Sequence, residues 1–140
     1  MYKLKHGPIV FLDDHYRSSE RLLINMEMMQ HNHTDTCFEC AEACERCATA
    51  CLELANADSK GLDMTACIKL CRDCADICTL CGRLEARGSK FMGQFMQLCA
   101  DACDACVVEC EKHADHMVHC KACAEACRKC AQECRQMANA

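Results

Sequence analysis

Nineteen cysteines carry most of the chemistry available to this 140-residue chain, and they fall in four runs. The first is Cys37, Cys40, Cys44, Cys47 and Cys51; the second is Cys67, Cys71, Cys74, Cys78 and Cys81. The third is Cys99, Cys103, Cys106 and Cys110; the fourth is Cys120, Cys123, Cys127, Cys130 and Cys134. Every gap within a run is 3 or 4, and the two alternate. Their mean is the spacing of the a/d seam of a heptad, so each run places its thiols on one stripe of an α-helix. A strand would need gaps of 2, and small disulfide-stapled folds have irregular gaps set by their loops.

Thiols in such numbers admit three readings. One or two buried cysteines behave as small hydrophobes, but Ala, Val or Leu would fill nineteen seam positions without the oxidation hazard. Disulfides require a restricted sulfur dihedral that neighbours on one helix have limited freedom to adopt, and nineteen is an odd number. Metal is the remaining reading, and charge bears on which metal. Ligating cysteines are thiolates, and buried uncompensated charge is costly. Zn²⁺ held by four thiolates leaves a net negative site. One Cu⁺ per thiolate sums to zero, and soft thiolate and thioether donors select Cu(I). Iron–sulfur clusters fit less well, because their cysteines usually lie in loop patterns ending in Cys-Pro, and the one proline here is Pro8. A thiolate buffer for Zn or Cd remains the main alternative. A thiol oxidoreductase is the other, although such enzymes place one reactive pair at a helix N-terminus.

The elements that position these thiols follow from composition and punctuation. Beyond Cys37 only 20 of 104 residues are large and apolar, too few for an ordinary aliphatic core, so the interior there is largely thiol. Ala41, Ala48, Ala124 and Ala131 flank the seams and let helices approach closely. Glu39, Glu42, Glu45 and Arg46 in the first helix, and Lys121, Glu125, Arg128 and Lys129 in the fourth, form wet outer faces. Thr36-x-x-Glu39 reads as a capping box that opens the first helix. Residues 56–61 read as a loop, Asp63 and Ser89 as N-caps, and Gly88 as a C-terminal stop. A tight turn is expected near Ala114 and Asp115, with one continuous helix as the rival. The fold class is all-α: an antiparallel four-helix bundle with a Cys-lined core over 34–140. Residues 1–33 form an N-terminal extension with a short amphipathic helix carrying Leu22, Leu23, Met26 and Met29.

Antiparallel order gathers donors at both ends. Met64, His113 and Met117 extend the seam at one end, beside Cys51, Cys67, Cys110 and Cys120, with His116 and His119 near. This end reads as the mouth where metal enters, although the methionines also suit a role as core filler. Cys37, Cys81, Met92, Met96, Cys134 and Met137, with Phe91 and Phe95, gather at the other end, which reads as sealed. His31 and His33 read as loop residues, with accessory ligation the rival.

Charge and composition exclude other classes. A formal charge of −5 with mixed signs gives no broad basic face for nucleic acid. No apolar run is long enough to span a membrane, and no secretory signal is expected.

The stretches Cys-Phe-Glu-Cys-Ala-Glu-Ala-Cys-Glu-Arg-Cys, Cys-Arg-Asp-Cys-Ala-Asp-Ile-Cys, Cys-Ala-Asp-Ala-Cys-Asp-Ala-Cys and Cys-Lys-Ala-Cys-Ala-Glu-Ala-Cys-Arg-Lys-Cys resemble the bacterial copper storage proteins over residues 34–138, and the chain is similar to their cytosolic branch. The resemblance implies a bundle that holds many Cu(I) ions per chain along its core and catalyses no reaction. It implies a cytoplasmic homotetramer with metal entering at one open end. Copper chaperones or low-molecular-weight thiols are the expected donors.

Overall fold

In the computed structural model, residues 14–57 and 63–139 are described, and of the side chains before His33 only those of Glu20 and Arg21 are. Four helices follow one another: α1 (Asp14–Ala57), α2 (Thr65–Ala86), α3 (Met92–Glu111) and α4 (Val118–Ala138). Helix α1 packs against α2 and α4, and α3 against the same two, so the four form a closed square with diagonal partners facing across the core. Among the described residues there is no strand.

The boundaries follow local chemistry. Gly88 takes the left-handed conformation at φ 60°. Its N–H donates to Glu85 O at 2.9 Å, and that of Ser89 to Leu84 O at 2.9 Å. This pair of reverse bonds satisfies the orphan carbonyls at the end of α2. Asp63 accepts from Thr65 N–H at 3.0 Å, but the N-cap position of α2 is Met64, so Asp63 braces the helix start from one residue before the cap. Ser89 Oγ accepts from Phe91 N–H at 3.3 Å, but α3 begins at Met92, so Ser89 caps the turn before the helix. The connection from α3 to α4 is a tight turn over 112–117, and the continuous-helix rival is excluded.

One expected boundary is absent. The N-terminal helical segment is part of α1, which runs 44 residues without a break. Thr36 is therefore an interior residue, and neither His31 nor His33 lies in a loop. Local capping preference is outweighed here by the neighbouring helical sequence on both sides, which contains no Gly or Pro from Asp14 to Ala57. The expected apolar face at Leu22, Leu23, Met26 and Met29 lies outside the described side chains, and residues 58–61 of the loop expected at 56–61 lie outside the described residues, while Asn56 and Ala57 belong to α1.

The small residues set the helix spacing. Ala41, Ala48, Ala75, Ala100, Ala124 and Ala131 are buried at the helix contacts. Gly82 does more: a Cβ there would lie 3.0 Å from the Phe38 ring, so α1 and α2 approach closely at this crossing, and a larger residue would require the ring to move. Outside, Arg72 meets Glu45 at 2.6 Å and Lys129 meets Glu39 at 3.5 Å. Arg128 pairs with Glu111 and Arg135 with Asp104. Such exposed pairs contribute about 0–1 kcal/mol each, so the interior determines the fold.

Candidate metal centre

All nineteen Cys side chains are fully buried, and all are free thiols. A heptad stripe on four helices aims every one at the axis. Within a helix, sulfurs four residues apart lie close: Cys47 to Cys51 at 4.0 Å, Cys74 to Cys78 at 3.8 Å and Cys123 to Cys127 at 3.9 Å. Between neighbouring helices they are closer. Cys44 lies 3.5 Å from Cys127, and Cys78 lies 3.5 Å from Cys103. Diagonal pairs also meet, with Cys40 to Cys103 at 3.9 Å and Cys71 to Cys123 at 3.9 Å. The core is thus a continuous ladder of sulfur rather than a set of separate pairs.

Groups of four sulfurs lie mutually within 4.8 Å, among them Cys40, Cys44, Cys74 and Cys127; Cys44, Cys106, Cys123 and Cys127; and Cys40, Cys78, Cys103 and Cys130. These groups share members. A structural zinc site is a closed tetrahedron with its own four ligands, whereas shared sulfurs suit bridging thiolates and many soft monovalent ions.

At most of these thiols the neighbouring sulfurs, ahead of burial, set the direction of the pKa shift. Burial, then the charges of Cys47 and Cys67, push Cys51 and Cys120 above the ordinary thiol range. At Cys67 the hydrogen bond from Cys110 outweighs burial and brings the pKa down to about 7.

At the end expected to be the mouth, Met64 is buried against the thiols, and Met117 Sδ lies 3.9 Å from Cys120 Sγ. His119 Nε2 lies 3.5 Å from Cys51 Sγ, so His119 rather than His113 is the imidazole on a sulfur. His113 Nε2 is 3.5 Å from Glu109 Oε1 and is buried without a hydrogen-bond partner among the described residues. A pocket of about 420 Å³ opens beside them, lined by Ala114, Asp115, His116, Met117, Val118 and Lys121. His119 was recoverable from the sequence as the residue before Cys120, but it sits off the seam.

The opposite end differs from its expected composition. Met96 is buried, but Phe91 and Met137 are 61% and 41% exposed, so they do not form the seal. His33 and Glu85 occupy that end instead, both buried. His33 Nδ1 lies 2.5 Å from Glu85 Oε2, and Nε2 lies 3.3 Å from Cys134 Sγ and 3.9 Å from Cys37 Sγ. Thr34 Oγ1 donates to the same Glu85 oxygen at 3.1 Å. Burial opposes a charged imidazole at His33, but the hydrogen bond and charge of Glu85 outweigh it and raise the pKa. Both residues continue the alternating gaps, four before Cys37 and four after Cys81. That signal was present in the sequence but obscured by the expected break at residues 31–33.

Comparison with known proteins follows the same lines. Residues 26–139 match the family described as copper storage protein. An uncharacterized cysteine-rich protein of Bacillus subtilis, YhjQ, is 45% identical over 101 residues, which is 72% of this chain and 88% of that protein. The Cu(I)-bound copper storage protein BsCsp3 from the same organism is 42% identical, with a TM-score of 0.67 over 76% of this chain and 94% of its own. A cytosolic copper storage protein from Streptomyces lividans, in a structure with five coppers, is 36% identical, with a TM-score of 0.72 over 79% of this chain and 92% of its own.

Proposed function

The chain belongs to the copper storage protein family and stores many Cu(I) ions inside its four-helix bundle; we propose that the nineteen core cysteines are the ligands, with Met64, His113 and Met117 as neutral donors at the mouth. The observation that carries this assignment is the unbroken sulfur ladder, fully buried and spaced at 3.5–4.0 Å. A dry core of this kind accepts ions only if its net charge stays near zero. Each Cu⁺ that binds a protonated cysteine displaces its thiol proton, so loading there adds no net charge to the core, and affinity falls as the pH is lowered. At the mouth, thioether and imidazole hold Cu⁺ without a proton to lose and pass it to Cys51, Cys67, Cys110 and Cys120.

The wider setting belongs to the same proposal. Residues 34–140 form the storage unit, and the Cys-free residues 1–33 an extension. The protein is a cytoplasmic homotetramer, consistent with a family relative described as cytosolic, and no helix among the described residues is long and apolar enough to cross a membrane. Copper chaperones or low-molecular-weight thiols supply the metal. No reaction is catalysed: Cys-x-x-Cys pairs recur on all four helices instead of one pair standing at a helix N-terminus.

The test is an anaerobic titration of the reduced protein with Cu(I), and separately Zn²⁺, against competing chelators. Tight uptake is expected to pass ten Cu(I) per chain and approach about one per cysteine, by the charge argument above. Saturation at four or five ions would indicate isolated four-thiolate sites and a zinc buffer.

A further inference from the structure

We propose that His33 is a nitrogen ligand for Cu(I) at the end of the bundle opposite the mouth, with Glu85 as the residue that positions it. The assignment rests on the copper-storage reading and adds to it a donor outside the cysteine seams.

The argument begins with the geometry of the ring. An imidazole presents two nitrogens, and the bond made by one sets the role of the other. Glu85 Oε2 lies 2.5 Å from Nδ1, and a carboxylate there accepts from Nδ1–H, which leaves Nε2 as the nitrogen that a metal ion would take in place of any proton. Nε2 faces the sulfurs of Cys134 at 3.3 Å and Cys37 at 3.9 Å. Metal–nitrogen and metal–sulfur bonds of roughly 2.0 and 2.3 Å, meeting at about 120°, span about 3.7 Å between donors. The two separations bracket that value, so one ion can bridge Nε2 and the sulfurs with little movement.

The cluster is also continuous with the ladder. Cys37 and Cys134 belong to a four-sulfur group with Cys99 and Cys130, and His33 adds a fifth donor at its outer edge. The carboxylate–imidazole–metal arrangement is a recurring way of fixing a ring and raising its basicity. Thr34 Oγ1 holds the same Glu85 oxygen at 3.1 Å, so the positioning group is itself positioned. Glu85 is 6% exposed, and the hydrogen bonds from Nδ1–H and Thr34 Oγ1 offset the cost of burying its carboxylate. When the ion binds, Nε2 and the sulfurs form bonds to copper, and the thiol proton of Cys134 leaves to solvent.

A helix-joining pair with no ligand role would show the same contacts, so the test reads the Nε2 atom itself. Full-length protein labelled with ¹⁵N-histidine, reduced and then loaded to saturation with Cu(I), is followed by long-range ¹H–¹⁵N correlation, with His33 assigned by loss of its signal in His33→Leu. The His33 Nε2 resonance is expected to shift on loading, while Nδ1 remains a protonated donor to Glu85. His33→Leu should bind one ion fewer per chain, and His33→Cys should regain it. Glu85→Gln should keep the ion count and weaken the site 10–100-fold against a chelator, the usual cost of losing such a partner. If the protein loads fully while His33 Nε2 does not move, copper storage stands and this ligand assignment falls. If the wild-type protein takes up only a few ions, the storage reading fails and the assignment with it. Where His33→Leu does not fold, His33→Gln supplies the same assignment, so the wild-type spectrum still decides the matter.

Discussion

The two ends of the bundle present imidazole to sulfur in opposite settings. At one, His119 meets Cys51 beside an open pocket and the short turn between α3 and α4. At the other, His33 meets Cys134 in a buried position, tied to a carboxylate on the neighbouring helix. A donor at a turn can exchange its ion and move. A donor clamped by a second residue is pre-organised and releases its ion slowly. The same residue type therefore suits transfer at one end and retention at the other, and the difference lies in the partner of the second ring nitrogen.

The largest effect should come from the rungs between the ends. Replacing Cys40, Cys74, Cys103 and Cys127 together with Ser removes sulfurs from three of the four-sulfur groups, including Cys40 and Cys127, which two groups share. Capacity should drop by about four ions or more, one for each lost thiolate charge, while both ends continue to bind. Chelator-competition titration reads this directly. Complete loss of binding would mean that the ladder acts as one indivisible cluster and that the ends have no separate character.

Loading should also stabilise the fold, since copper binds the native ladder more tightly than the thiols of the unfolded chain. The apo protein is expected to show helical far-UV circular dichroism, because protonated thiols pack as small hydrophobes and the alanine-rich helices have high propensity. Each site at free copper 100-fold above its dissociation constant adds about 2.7 kcal/mol, which calorimetry would record as a large rise in Tm. A coil that folds only with metal would contradict this.

Rates separate the ends. His113→Leu with Met117→Leu, and independently His119→Leu, should slow both loading and chelator-driven removal on the order of tenfold, equivalent to about 1.4 kcal/mol of barrier. Capacity should fall by only a few ions. Met92→Leu with Met96→Leu should leave stopped-flow rates nearly unchanged. Control of the rates by the second pair would reverse the assignment of the mouth.

What could be read from residues alone divides along the same line. The cysteine spacing determined the number of helices, the thiol face and the sulfur ladder, because a period of 3 and 4 has one geometric meaning. Gly88 and the turn at 112–117 were equally accessible, since glycine at φ 60° and a break in seam phase are local signals. The closed end was not. Thr36-x-x-Glu39 matches a capping box, yet capping is a weak local preference that a longer helical stretch overrides. With α1 ended there in the reading, His33 dropped out of the seam, and its partner on α2 had no counterpart. The contact of Phe38 with Gly82 was invisible for a different reason, because it depends on the crossing of two helices and not on either sequence.

The smallest effect expected is at that crossing, and it sharpens the comparison by testing the closed end without touching a donor. Gly82→Ala places a Cβ 3.0 Å from the Phe38 ring. The ring is 40% exposed, so it has room to swing outward and relieve part of the clash. Alanine also gains helix propensity over glycine, about 1 kcal/mol, against an overpacking cost of about 1–3 kcal/mol. The net should be a destabilisation of roughly 0–2 kcal/mol on the same scales, read by chemical denaturation of the apo protein. Phe38→Leu in the same chain should recover most of it, since the smaller side chain vacates the site of the clash, and the double-mutant cycle isolates that term. Copper loading rates should not change in either variant, because ions enter at the far end. An unchanged stability in Gly82→Ala would show that the ring moves freely. A slowed loading rate would show that the closed end takes part in copper entry after all.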